Sequence, residues 1–217
     1  MRAAEIAGRV VTVKKQAKQG SYQKGKDKRQ DVLEVAADLL IESGYHNFSM
    51  RKVADAAGIR LGNLQYYFPS KAKLVKAMLD HALSSYLDAF VEIRRHGTPE
   101  QQFLAVIDKV VNDLNKKRTT VFFPEVWSLS NHEKGVTQAM DEMYENYRKV
   151  LAGIIGEVNP ALSALQARRL ALFISASIEG HTIFIGYRKP WRKETANIIH
   201  IAKQSFLWLI MQGDIPE

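Results

Sequence analysis

The sequence predicts an all-α protein in two parts, a small three-helix head followed by a larger helical body. Two observations predict it. From Gln30 onward apolar residues recur at helical spacing, and no stretch alternates convincingly as a strand. Capping and helix-breaking residues then divide that pattern into three short segments, one long one and several more behind it.

The elements follow in order. Val32, Ala36, Leu39 and Leu40 lie at i, i+4, i+7 and i+8 and define a first helix that stops at Gly44. Ser49, a good N-cap, opens a second helix that ends at Gly58, and a third spans residues 61–68. Pro69 and Ser70 open a long helix, residues 70–90, with Leu74, Met78, Leu79, Leu83, Tyr86, Leu87 and Phe90 facing inward. Thr98 as cap, Pro99 in the first turn and Gln101 three residues after the cap start the next, which carries Phe103, Ile107, Val110, Val111 and Leu114. The apolar, aromatic segment at residues 119–129 is expected to be broken by Pro124. Val136, Met140, Met143, Tyr147, Leu151 and Ile154 trace another long helix, ended by Asn159 and Pro160. Ser163 with Gln166 forms a second capping box before a strongly apolar helix running through Tyr187. Lys189 and Pro190 separate it from a last helix with Ile198, Ala202, Phe206, Leu209 and Ile210.

Composition narrows the function classes. At 217 residues and 46% hydrophobic content the chain can bury a substantial core. It has no cysteine, which excludes disulfides, thiolate metal sites and a cysteine nucleophile. His132-Glu133 lacks the second histidine of a zinc helix, so neither metal nor cofactor is expected. Glu179 and His181 could form an acid/base pair, but no nucleophile motif or phosphate loop accompanies them, and an enzyme is not expected. Those two residues also interrupt the longest apolar stretch, residues 170–187, which falls short of a membrane span. No secretion signal is recognisable, and the expected location is cytoplasmic, on the nucleoid when bound to DNA.

The charge is unevenly placed. Residues 1–29 hold nine basic residues against Glu5 and Asp27, which accounts for +7 of the chain's net +8. A cationic arm, residues 1–27, on a near-neutral body suits phosphate contact, because neutralised phosphates release counterions.

The informative block is SMRKVADAAGIRLGNLQYYFPSKAK, residues 49–73. Small Ala54 lets two helices approach closely, Gly58 makes the turn between them, and Val53, Ala57, Ile59 and Leu64 form a small shared core. The second helix then shows Asn63, Gln65 and Tyr66, with Arg60 at its start. That is helix-turn-helix chemistry, fit to enter a major groove. Gln65 can pair with adenine and Arg51 with guanine, while hydroxyls and Lys71 suit phosphates.

This block, with LEVAADLLIESGYHNFS before it and a long helix after it, resembles the TetR/AcrR repressors over their whole N-terminal domain. The resemblance implies that Ser49 and Met50 cap the first helix near phosphate and that Arg51 and Gln65 approach bases. Leu61 and Gly62 would lie against base edges, and Asn63, Tyr66, Tyr67 and Lys71 would touch the backbone. Arg60 stands where the family often has serine or threonine, and Gln65 where it often has tyrosine. The implied architecture is a DNA-binding head at residues 28–73 and a ligand-binding, dimerising body at residues 74–217. The implied partners are palindromic double-stranded operator DNA, a small-molecule effector and a second copy of the chain docked through the last two helices, Phe206 and Leu209 included. Phe103, Phe122, Phe123, Trp127, Tyr144, Tyr147 and Phe173 are candidate pocket residues for an apolar or aromatic effector, with Ser177 or His181 orienting a polar group.

Overall fold

Side chains that replace missing backbone partners set several of the helix starts. Ser49 and Ser70 accept from the amides of Lys52 and Lys73, and Thr98 with Gln101 and Ser163 with Gln166 complete reciprocal capping boxes. The computed structural model describes residues 28–217; the cationic arm expected at residues 1–27 lies outside them. In order the helices are α1 (28–43), α2 (Met50–Ala56), α3 (Leu61–Tyr67), α4 (Lys71–Ile93), α5 (Pro99–Asp113), α6 (Lys117–Ser130), α7 (Lys134–Val158), α8 (Ala164–Ile185) and α9 (Thr195–Gln212). Short 3-10 turns at Tyr45–Asn47 and Arg192–Glu194 complete the fold, and the described residues contain no strand.

One expectation fails. α6 runs unbroken through Pro124. Proline there removes the amide that would bond Thr120, a cost of about 3 kcal/mol in an isolated helix. Here α6 lies along α7 with Phe122, Val126 and Leu129 buried on both sides of the proline, and tertiary packing outweighs the local preference. A smaller difference is that α8 stops at Ile185, two residues early.

α7 is the axis of the body, packed against α8 and α4, with Val136, Ala139, Met143, Tyr147, Leu151 and Ile154 buried at intervals of three or four. α9 lies on α5, and the head joins the body through α4. One continuous apolar core links both parts, from Val32 and Leu64 to Ile210.

The turn between α2 and α3 depends on one residue. Gly58 takes φ +62° while its amide bonds to Asp55 and that of Ile59 reaches Ala54, a Schellman closure that satisfies the last carbonyls of α2. An added Cβ would meet nothing within 4 Å, so the penalty for a side chain is purely conformational. Gly58→Ala should cost about 1 kcal/mol in denaturant unfolding, and Gly58→Asn distinctly less. Equal losses for the two would mean that the left-handed backbone is not what glycine supplies.

Candidate nucleic-acid interface and internal cavity

α3 is a seven-residue helix with a single fully buried anchor, Leu64, set on Val53, Ala54 and Phe68. Gly62, Asn63, Gln65 and Tyr66 are left exposed, Tyr66 to 85%. Arg60 just before it and Arg51 on α2 are also exposed, and α3 carries no acidic residue. The result is an exposed polar helix with one arginine just before it and another on the preceding helix, of a size that a major groove admits. Ser49, Met50, Leu61 and Tyr67 are half-buried at its edges, where Met50, Leu61 and Tyr67 pack on the core. Lys52, passed over in the sequence although it follows Arg51 directly, belongs to this surface; its ammonium bonds Asn47 Oδ1 at 3.0 Å.

Lys71 is placed differently from the other candidates. Its Nζ lies 2.7 Å from Glu133 Oε1 at the start of α7, so it joins the head to the body. Further contacts do the same. Arg118 of α6 reaches Glu34 of α1 at 2.6 Å, and Glu34 also bonds His81 of α4 at 2.8 Å. Burial pushes the Glu34 carboxyl up, but its bonds to His81 and Arg118 outweigh this and hold it below the usual range. On α6 again, Glu125 Oε2 accepts from the Tyr45 amide at 2.7 Å.

Two cavities adjoin one another. The outer one, about 310 Å³, opens between α1, α4, α5 and α6 and has Leu33, Ala37, Met78 and Phe122 on its apolar wall. The inner one, about 40 Å³, is lined by Leu83, Val110, Met143, Tyr144, Tyr147 and Glu179, and the partly buried Glu179 also borders the surface groove between α7 and α8. Tyr86, Thr119 and Phe123 line both and form the wall they share. Trp127 stands behind the inner chamber and donates Nε1–H to Tyr144 Oη at 2.9 Å.

Of the candidate pocket residues, Phe122 lines the outer chamber, Tyr144 and Tyr147 the inner one and Phe123 both, while Trp127 bonds Tyr144 from behind. Phe103, Phe173, Ser177 and His181 lie off both chambers. Phe103 is fully buried core of α5. On α8 the inward face is Ala171, Ile174, Ile178, Thr182 and Ile185, which turns Phe173 outward to 53% exposure, and the Ser177 hydroxyl is spent on the Phe173 carbonyl. Burial holds the half-buried His181 imidazole below its ordinary value.

Two residues that the sequence offered in other roles also line the inner chamber: Tyr86, read as an inward-facing residue of the long helix, and Glu179, read as half of a possible acid/base pair. Glu179 had a legible signal, being the one acid in the apolar α8. Burial pushes its carboxyl up to about 7, against the Tyr144 hydroxyl that favours the charged form. Burial likewise raises the phenols of Tyr86, Tyr144 and Tyr147, which stay protonated. The Tyr147 hydroxyl is buried and has no partner among the described residues.

Comparison with known proteins agrees with this geometry. Residues 32–78 match the family model described as bacterial regulatory proteins, tetR family. Residues 99–202 match that of the BetI-type transcriptional repressor, C-terminal. The fatty acid metabolism regulator protein of Bacillus subtilis is 22% identical over 150 residues, covering 66% of this chain and 77% of the relative. The transcriptional regulator BetI 2 of Chromohalobacter salexigens is 27% identical over 159 residues, covering 70% and 74%. Among solved structures, a TetR-family regulator from Syntrophomonas wolfei superposes with a TM-score of 0.70 at 16% identity, over 86% of this chain and 96% of that one. FadR from Bacillus subtilis, solved with stearoyl-CoA, gives 0.62 at 19% identity over 85% and 98%. With its helix-turn-helix head, its all-helical body and both matches in sequence order, the chain belongs to the TetR family of DNA-binding transcriptional regulators.

Proposed function

We propose that the chain is a repressor that binds a palindromic operator as a homodimer and releases it when a small molecule occupies the cavity. One observation carries this reading: α6 walls both chambers through Thr119 and Phe123 and also holds the head through Arg118 and Glu125. A ligand that moves α6 changes how the head sits, and it shifts the balance by its differential affinity for the two arrangements. The FadR neighbour, crystallised with stearoyl-CoA, supports a small-molecule role for a body of this fold.

In this reading the head (28–73) meets DNA through α2 and α3. Arg51 and Gln65 read bases, Arg60, Leu61 and Gly62 lie at the groove edge, and Ser49, Met50, Asn63, Tyr66 and Tyr67 contact the backbone. Lys71 serves the head-to-body tie instead. The body (74–217) dimerises through the outer faces of α8 and α9, where Leu172, Phe173, Ile183, Phe184, Trp208 and Met211 are exposed. Phe206 is 5% exposed and belongs to the core, so substituting it would unfold the body rather than separate the dimer.

The test is to mix the protein with sheared genomic DNA of its source and excess non-specific competitor, and to sequence what remains bound. A few palindromic sites are expected; uniform recovery would remove the operator reading. Binding to those sites that no cavity ligand alters would leave a ligand-independent or activating regulator. On a recovered site, Gln65→Ala should weaken binding about tenfold and relax one base position, since a bidentate base contact is worth roughly 1–3 kcal/mol. Unchanged sequence preference would take Gln65 off the bases.

A further inference from the structure

We propose that the inner chamber seats an alkylammonium head group, a protonated amine whose N–H bonds are taken by Glu179 and Tyr147 between the rings of Tyr86 and Tyr144. The assignment rests on the effector reading above and names its chemistry.

Four observations converge. Glu179 brings a carboxyl into an apolar chamber, and among the described residues no cationic side chain pairs with it. Arg148, which borders the same surface groove as Glu179, is engaged elsewhere, over the Tyr144 ring at 6.0 Å and 3.8 Å from Glu145. Burial without a counter-ion favours the protonated carboxyl, and a bound cation would favour the carboxylate instead. Second, the Tyr147 hydroxyl is buried with its hydrogen-bonding capacity unfilled. Its oxygen can accept from an ammonium N–H, and a buried polar group left unmatched in the empty chamber is what a ligand would complete. Third, the walls are aromatic, with Tyr86, Phe123, Tyr144 and Tyr147 around the space, and aromatic faces attract cations.

Size supplies the fourth. A chamber of about 40 Å³ has room for roughly three water-sized groups, which suits a nitrogen and the first two carbons of a chain. The rest of the chain would pass Tyr86, Thr119 and Phe123 into the outer chamber, against Met78 and Phe122. An anionic head would meet the Glu179 charge. An alcohol would leave the carboxyl without its counter-ion. A quaternary ammonium group has no N–H for Tyr147 and is bulkier than the chamber.

The probe is n-hexylammonium, titrated calorimetrically into the full chain near neutral pH beside n-hexanol, hexanoate and tetramethylammonium. Binding of n-hexylammonium at least tenfold tighter than each of the other three is expected. Glu179→Gln, which keeps the shape but removes the charge and turns one acceptor oxygen into an N–H donor, should weaken it about 100-fold, because one half of a buried charge pair is lost. Tyr147→Phe should weaken it about fivefold. Absence of binding at millimolar amine, hexanol binding as tightly as the amine, or an affinity within twofold in Glu179→Gln would each overturn the assignment. Operator release is measured separately on a recovered site. Amine binding without release would remove the release mechanism and leave the amine site standing; release by another compound, with no amine binding, would do the reverse.

Discussion

Replacing Leu172 and Trp208 together by aspartate is expected to give folded monomers and to weaken operator binding by about 10²–10⁴-fold. Both residues are largely exposed, at 54% and 60%, so the substitutions take nothing from the core and helicity should be retained. They belong to a run of large apolar side chains on α8 and α9, which a lone soluble chain has no reason to show to water. Placing aspartates there buries charge without partners in each proposed interface. A monomer has one head, and it loses the effective concentration that a tethered second head provides at the other half-site. Sedimentation velocity gives the mass and a gel shift gives the affinity. A dimer that survives both substitutions moves the interface off α8 and α9, and monomers with full affinity would mean that one head suffices.

The second large effect concerns Glu179 and pH. Its carboxyl, pushed up to about 7 by burial, holds a proton in the folded chain that the unfolded chain gives up nearer 4.5. Between those values the folded state binds more protons, so stability falls as pH rises. The contribution is fully present below the unfolded value and is gone above the folded one. A displacement of this size is worth about 3 kcal/mol at full burial, and the residue's remaining surface trims that to about 2 kcal/mol. Glu179→Gln removes the titration. Its melting temperature relative to the parent chain should therefore rise from pH 4.5 to pH 8.5 by roughly 4–8 °C for a protein of this size. The difference between the two proteins matters, because Glu34 shifts in the opposite sense and cancels in the subtraction. A difference that stays constant across that range would show Glu179 to be solvated and ionised throughout.

The head was readable in the sequence for a physical reason. Its determinants are local: Ser49 as a cap, Gly58 at the turn, and Leu64 as the anchor of α3 lie within sixteen residues of one another, and each acts on its immediate neighbours. The capping boxes at Thr98 and Ser163 were readable in the same way. Pro124 was misread because a local penalty was weighed without the packing that overrides it. Phe173 and Phe206 show the same difficulty from another side. An apolar side chain on a helix is equally at home in a core and at an exposed face, and only the placement of α8 and α9 separates them.

By itself, then, the amino-acid sequence determined the helices other than the unbroken α6, their order, the helix-turn-helix head and the family. Periodicity, caps and turn glycines act over a few residues and need no partner from elsewhere. The tertiary structure alone decided what the body does with its side chains. It carried Leu33, Tyr86, Phe123, Tyr147 and Glu179 to two adjoining cavities, tied Lys71 to Glu133, and set Arg118 and Glu125 of α6 against the head. Those juxtapositions join residues many turns apart. They follow from how whole helices pack, which no short window of sequence contains.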